Sequence, residues 1–236
     1  MRTIDAESLT RNNLAYREPV LYDELLGDES LPDTLRDIAA REKISARSVL
    51  DLGCGTARLL GQLSRHGVAG AGIDVQPNLI HWARTQHPAL WLEIADLRTA
   101  RLDTTFDLIT CVGNTLSYLH TEPELAAAFT TAAAHGHPGT LLAIATLTGA
   151  GSSSSSTNEI TTIRGSATVD SISEWNPAES LLTTRRTWHF NNGRTEHDTM
   201  HRRFWSFDLL DQCARASGFG TIPIGTTELS LCARLP

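Results

Sequence analysis

The stretch Ser48-Val-Leu-Asp-Leu-Gly-Cys-Gly-Thr-Ala-Arg58 decides the fold of this chain. Val49 to Leu52 is a short apolar run of the kind that forms a buried strand, and Gly53 and Gly55 follow at once. A helix-compatible run then extends from Thr56 to His66. Strand, glycine turn and helix start in that order bring a ligand close to the backbone. Gly53 permits the tight turn, and Gly55 carries no side chain where the ligand must approach. A second apolar run, Val68 to Ile73, ends in Asp74, nineteen residues after Gly55. A carboxylate at that strand tip, with Val75 beside it, is placed to accept both hydroxyls of a ribose.

Two cofactor classes share this layout. A dinucleotide site expects G-x-G-x-x-G, and here Arg58 stands at the third glycine position. Asp51, inside the end of the first strand, would repel a pyrophosphate but suits a cationic ligand with an amino group. The sequence Val-Leu-Asp-Leu-Gly-Cys-Gly-Thr-Ala resembles the first motif of class I S-adenosylmethionine-dependent methyltransferases, with Ala57 where that family often has Gly. The resemblance implies S-adenosyl-L-methionine as cofactor and S-adenosyl-L-homocysteine as its product. It also implies roles for Asp51, Gly53, Gly55, Asp74 and Val75 in holding the cofactor. In that family an acidic residue after the third strand binds the adenine amine. Asp96 is the matching position, with Leu97 as a wall for the ring.

The remaining pattern fits an α/β fold. Leu90–Ile94, Phe106–Val112 and Thr140–Leu147 read as further strands, alternating with helical runs from Gln76 and from the capping-box sequence Thr121-Glu-Pro-Glu124. Alternation of this kind predicts a Rossmann-like, mostly parallel sheet. Gly220–Leu235 supplies two final strands joined around Gly225-Thr-Thr, and this ending matches the antiparallel last strand of a seven-stranded sheet that the resemblance implies. Residues 46–148 and 206–236 form this core. Residues 1–45 read as an N-terminal helical lid, broken at Pro19. The five serines Ser152–Ser156 read as a mobile, low-complexity loop. Residues 159–205 read as an antiparallel β insertion roofing the acceptor pocket, with a hairpin turn at Asn191-Asn192-Gly193.

Ligands of an open α/β sheet bind beyond the carboxyl ends of its strands. The acceptor is therefore expected near Cys111, Gly113 and Asn114-Thr-Leu-Ser-Tyr118-Leu119. Gly113–Leu119 resembles the G-N-S-x-x-H-L motif of glycine N-methyltransferase-like and related amine methyltransferases, with Tyr118 in place of His. Cys111 and Gly113 are expected on the cofactor, and Asn114, Tyr118 and His120 as catalytic candidates. Asn114 and Tyr118 are also substrate candidates, together with Tyr16, Trp175, Arg186 and Trp188. Tyr22-Asp23 partly matches a Y-D-x-x-Y-like element that lies over the cofactor in the family, with Leu26 at the second Tyr position. Tyr22 is accordingly a cofactor candidate.

Composition narrows the function classes. Net charge is -7, and the pairs Arg185-Arg186 and Arg202-Arg203 are too sparse for a nucleic-acid surface. No run approaches the ~18 apolar residues of a membrane span, and the first residues lack an apolar signal core. The four cysteines fit no zinc spacing, so no metal is implied and a reduced, cytoplasmic protein is expected. The partner expected is a small-molecule acceptor, and an exposed edge strand of the insertion would also offer a homodimer contact. The first expectation is N-methylation of an amino sugar or amino-acid-like metabolite in secondary metabolism. The alternatives are O-methylation of a phenolic or sugar hydroxyl, and a non-catalytic S-adenosylmethionine-binding protein.

Overall fold

The computed structural model describes residues 6–25, 30–162, 165–224, 226 and 228–236. The expectations that concern residues 1–5, Leu26, Ile163, Gly225 and Thr227 lie outside these. The chain begins with α1 (Ala6–Asn12), α2 (Leu14–Arg17), α3 (Pro19–Leu25) and α4 (Leu31–Arg41). It then alternates through β1 (Ser48–Leu52), α5 (Arg58–Ser64), β2 (Ala69–Asp74), α6 (Pro77–Gln86), β3 (Trp91–Ile94), β4 (Leu108–Cys111), α7 (Glu122–Ala134) and β5 (Leu141–Ile144). Four long strands follow: β6 (Ser154–Thr162), β7 (Gly165–Asn176), β8 (Leu181–Phe190) and β9 (Thr195–Arg203). Helix α8 (Phe207–Ala216) and strands β10 (Gly220–Ile222) and β11 (Leu231–Arg234) complete the chain.

The main sheet has seven strands in the order β10-β11-β5-β4-β1-β2-β3. β1 to β5 pair parallel, and β11 runs antiparallel between β5 and β10. Successive residues of a strand face opposite sides, so each strand feeds two cores. Val49, Leu108 and Leu141 pack on one side with Leu60, Leu63 and Ile80 of the helices. Leu50, Ile109 and Leu142 pack on the other with Phe129, Leu210 and Phe219. The order reverses between β1 and β4, and the crevice beyond their carboxyl ends is where such sheets take ligands.

The N-terminal segment divides in two. Helix α4 buries Leu35, Ile38 and Ala39 in the core against β1 and α5, so it is part of the main body. Helices α1 to α3 run instead between the main sheet and the second one. The break between α1 and α2 is set by Asn13, whose side chain accepts from the Ala15 amide at 3.1 Å. The break before α3 is set by Pro19, which opens that helix where a missing N–H costs nothing.

Strands β6 to β9 form a separate four-stranded antiparallel sheet. Three of the five serines belong to it: Ser154, Ser155 and Ser156 pair with Ser173, Ile172 and Ser171 in an edge strand, so no mobile loop occupies those three positions, while Ser152 and Ser153 precede the strand. The run is exposed, and a solvated edge accepts small polar residues that a central strand would not. Trp188 is 0% exposed and packs with Leu14, Leu21, Ala167 and Val169, tying α2 and α3 to this sheet. Truncating a tryptophan buried this way costs about 3–5 kcal/mol.

Candidate active site

Three cavities meet where β1, β2 and β4 end. The first, of about 240 Å³, is lined by Asp74, Val75, Asp96 and Leu97 together with Tyr16, Tyr22 and Tyr118. The second, of about 620 Å³, is lined by Asp51, Gly53, Cys54 and Asn114 among others. The third, of about 450 Å³, lies against the second sheet and is lined by Asn114, Thr184, Arg186, Trp188, Met200 and Arg202, with the same three tyrosines. Tyr22 and Gly113 line all three.

Gly113 has φ +65, and a Cβ built there would meet nothing within 4 Å, so its backbone borders open space at the junction. Gly53 and Gly55 are tight instead. A Cβ on Gly53 would lie 2.3 Å from Thr115 Cγ2, and one on Gly55 would lie 2.7 Å from the Tyr22 hydroxyl. The glycine turn thus seats Tyr22 over the strand ends. Tyr22 is held there by its neighbour: Asp23 accepts from the Thr56 hydroxyl and, at 3.0 Å, from the Trp82 indole. Ala57 occupies the left-handed region at φ 61, where an L-residue is strained by roughly 1–2 kcal/mol. That conformation accounts for a glycine preference at this position.

The carboxylates differ in their surroundings. Asp74 accepts from the Gly55 amide and the Gln76 amide, each at 2.8 Å. Burial raises its pKa, and these backbone donors oppose the rise without cancelling it. Asp51 is 2% exposed and accepts from the Thr110 hydroxyl at 2.7 Å. Burial pushes it up to about 7, against the Thr110 hydrogen bond and with a further push from Asp74. Burial also acts to raise Asp96, but hydrogen bonds from Arg98 outweigh it and hold that carboxyl below its ordinary value. Arg98 grips Asp96 at 2.5 Å and reaches Glu124, the capping-box residue, at 2.6 Å.

All three tyrosines of the chain converge here. The Tyr16 ring lies 5.8 Å from Tyr22 and 6.0 Å from Tyr118, centre to centre. Burial pushes the Tyr16 and Tyr22 hydroxyls well above the ordinary phenol value, so both stay protonated. Aromatic faces around a junction suit a positive charge.

Some expected site residues lie elsewhere. Cys111 is buried in the core against Leu52, Leu116 and Phe129, because its strand position points it into the sheet's helix-covered face. His120 turns away from the cavities: its Nε2 lies 3.1 Å from the His201 carbonyl, and burial holds its pKa down. Trp175 packs edge-on against Phe204 at 5.0 Å, at the far end of the second sheet. Trp188 and Arg186 do line the third cavity, but both are bound to Asp198, a residue absent from the expectations. Arg186 donates twice to Asp198 at 2.8 Å, and the Trp188 indole donates at 2.9 Å. Asp198 is 4% exposed and also accepts from the Leu14 amide at 3.3 Å. The signal for it was present, since a hairpin turning at Asn191–Gly193 brings Asp198 opposite Arg186. Gln76, Arg98, Met200 and Arg202 are further lining residues that no motif marks.

The residues present fit S-adenosylmethionine. A buried carboxylate, Asp51, and a half-buried one, Asp74, border the cavities, a bare glycine borders the junction, and tyrosine rings surround it. Residues 49–139 match the family described as "Methyltransferase domain". Strand order, glycine turn and acidic strand ends agree with that match and are those of the class I S-adenosylmethionine-dependent methyltransferase fold.

Part of the chain is similar to amino-sugar enzymes. It is 28% identical over 110 residues to a dTDP-3-amino-3,4,6-trideoxy-alpha-D-glucopyranose N,N-dimethyltransferase of Streptomyces venezuelae, covering 47% of this chain and 46% of the relative. It is 31% identical over 105 residues to a dTDP-3-amino-3,6-dideoxy-alpha-D-glucopyranose N,N-dimethyltransferase of Streptomyces fradiae, covering 43% and 41%. The chain thus spans less than half the length of these curated relatives. The structure of an amino pentose methyltransferase from Micromonospora echinaspora superposes with a TM-score of 0.78 over 92% of this chain and 96% of that one, at 20% identity. A likeness at that identity speaks for the fold. Among the described residues no helix is long and apolar enough to cross a membrane.

Proposed function

We propose that this chain transfers a methyl group from S-adenosylmethionine to the amine of a small acceptor, an amino sugar or an amino-acid-like metabolite of secondary metabolism. The observation that carries this reading is the lining of the third cavity. Among the described residues that line it there is no carboxylate and no imidazole. An amine arrives neutral and gives up its proton to water after transfer, whereas a hydroxyl acceptor needs a base to become nucleophilic. Tyr16 and Tyr22 cannot serve, because burial keeps them protonated. Asp51, which titrates near neutrality, lines a different cavity.

Bound at the first two cavities, S-adenosylmethionine supplies an electrophilic methyl on a sulfonium. In this reading the chain contributes alignment more than acid–base chemistry. Asp74 holds the ribose hydroxyls, and Asp51 holds the amino acid end of the cofactor. Tyr16, Tyr22 and Tyr118 surround the passage between cofactor and acceptor and exclude water from it. Asn114 orients the acceptor, and Tyr118, whose hydroxyl faces Met200 Sδ at 3.9 Å, bounds the cavity from the side of the cofactor. The relatives named for N,N-dimethylation of amino sugars agree with an amine acceptor.

The pH dependence of kcat/KM tests this. With two amine acceptors of different basicity, the acid limb should move with the pKa of the acceptor and persist in His120→Gln. An acid limb that ignores the acceptor and vanishes in His120→Gln would contradict the proposal and favour a hydroxyl acceptor.

A further inference from the structure

The face of the second sheet that closes the acceptor cavity is organised in rows across the strands. Arg186 on β8 faces Asp198 on β9, Thr184 faces Met200, and Leu182 faces Arg202. The two cationic residues that line the cavity are therefore in different circumstances. Arg186 is neutralised by a bidentate pair with Asp198, and its guanidinium also lies 4.9 Å over the Trp188 ring. Among the described residues the Arg202 side chain, which lines the cavity, has no ion pair, hydrogen bond or ring contact, and its Nε, like that of Arg203, is buried without a partner. Its neighbour Arg203 is committed elsewhere, to the His120 carbonyl and to the Trp205 ring at 4.5 Å.

A guanidinium in a half-enclosed cavity with no carboxylate among the described lining residues leaves one positive charge uncompensated. Burying part of such a group without a partner is costly, so the arrangement favours whatever ligand brings a matching anion. Arginine presents parallel donors that fit a planar carboxylate or a phosphate in a way a lysine does not. Successive rows along a strand lie about 7 Å apart, so Arg202 sits one row beyond the Met200 that faces Tyr118. The cavity therefore offers two separated points of recognition: the tyrosine junction for the amine, and Arg202 for an acid.

We propose that Arg202 anchors an oxyanion of the acceptor, a carboxylate or a phosphate carried one sheet row away from the reacting amine. The acceptor is then an acidic amine and not a neutral one. The inference rests on the acceptor reading above, but it concerns binding and is tested by binding.

The experiment titrates glucosamine, glucosaminic acid and glucosamine phosphate into the protein saturated with S-adenosyl-L-homocysteine, for the natural chain, Arg202→Gln and Arg202→Lys. Retained S-adenosyl-L-homocysteine affinity shows that each variant is folded. At least one acidic ligand should bind the natural chain about tenfold or more tightly than glucosamine. Arg202→Gln should erase that difference and Arg202→Lys should restore part of it. The preferred ligand distinguishes carboxylate from phosphate. Equal affinity for all three ligands, or a preference that survives in Arg202→Gln, would overturn the anchor. If the preference depends on Arg202 while labelled S-adenosylmethionine methylates none of the amines, the anchor stands and the N-methylation reading falls.

Discussion

The cavities on the two sides of the tyrosine junction carry opposite charge. On the cofactor side Asp51 is buried and Asp74 half-buried, and both carboxylates have neutral donors as their hydrogen-bond partners. On the acceptor side the charged lining residues are Arg186 and Arg202, and Asp198 compensates only the first. One region is negative and the other positive, which matches the proposed cofactor cation on one side and the proposed acceptor oxyanion on the other. The two sides are also built differently. The cofactor side takes Asp51, Gly53, Asp74 and Asp96 from strand ends between residues 51 and 96, with the tyrosines added from outside that stretch, whereas the acceptor side needs residues near 13–25, near 113–118 and from 158 to 202 together.

The largest effect should come from Asp198. Asp198→Ala leaves Arg186 charged and unpaired and frees the Trp188 indole, which should lower stability by roughly 3 kcal/mol. Denaturant unfolding measures this, and the acceptor KM should rise more than the cofactor Kd. Equal damage on both sides would break the comparison. Asp74→Ala should act on the other side, weakening S-adenosyl-L-homocysteine binding by about 1–3 kcal/mol in calorimetry. An unchanged affinity would remove Asp74 from the cofactor site.

Asp51 sharpens the contrast through pH. Its folded-state pKa is raised from 3.8 to about 7. Between those values the folded protein keeps a proton that the unfolded chain has lost, so stability of the ligand-free protein falls as pH rises through that window. Asp51→Asn should lack this decline, and its thermal midpoint should exceed that of the natural chain at about pH 8. Cofactor affinity should behave oppositely. A cation prefers the ionised carboxylate, so binding by the natural chain should tighten as pH rises through about 7, while Asp51→Asn should stay flat. The smallest effect is expected at Trp175, where substitution by Leu should change the acceptor KM by less than about twofold, since the ring packs on Phe204 outside the cavity.

Legibility in the sequence follows the same division. The strand, glycine turn and acidic tips of residues 48–96 are consecutive, so local pattern sufficed for the sheet and for the position of Asp51, Gly53 and Asp74 at its strand ends. The capping box at Thr121 was legible for the same reason, and the antiparallel last strand was legible through the family resemblance. Proximity along the chain misled at Cys111 and His120, where strand alternation and a contact with β9 turn the side chains away. The serine run misled because serine lacks strand preference and an edge strand does not need it. Asp198 and Arg202 depend on hairpin register, which is fixed only once the turn at Asn191–Gly193 is joined to the strands on both sides.

The most direct test of a cofactor cavity joined to a base-free acceptor cavity is product mass. Labelled S-adenosylmethionine is offered to the protein with a mixed panel of amino sugars, amino acids, phenols and sugar hydroxyls. The account predicts label on an amine nitrogen, with acidic amines first among the products. Label on an oxygen, or binding of the cofactor with no label on any acceptor, would contradict it.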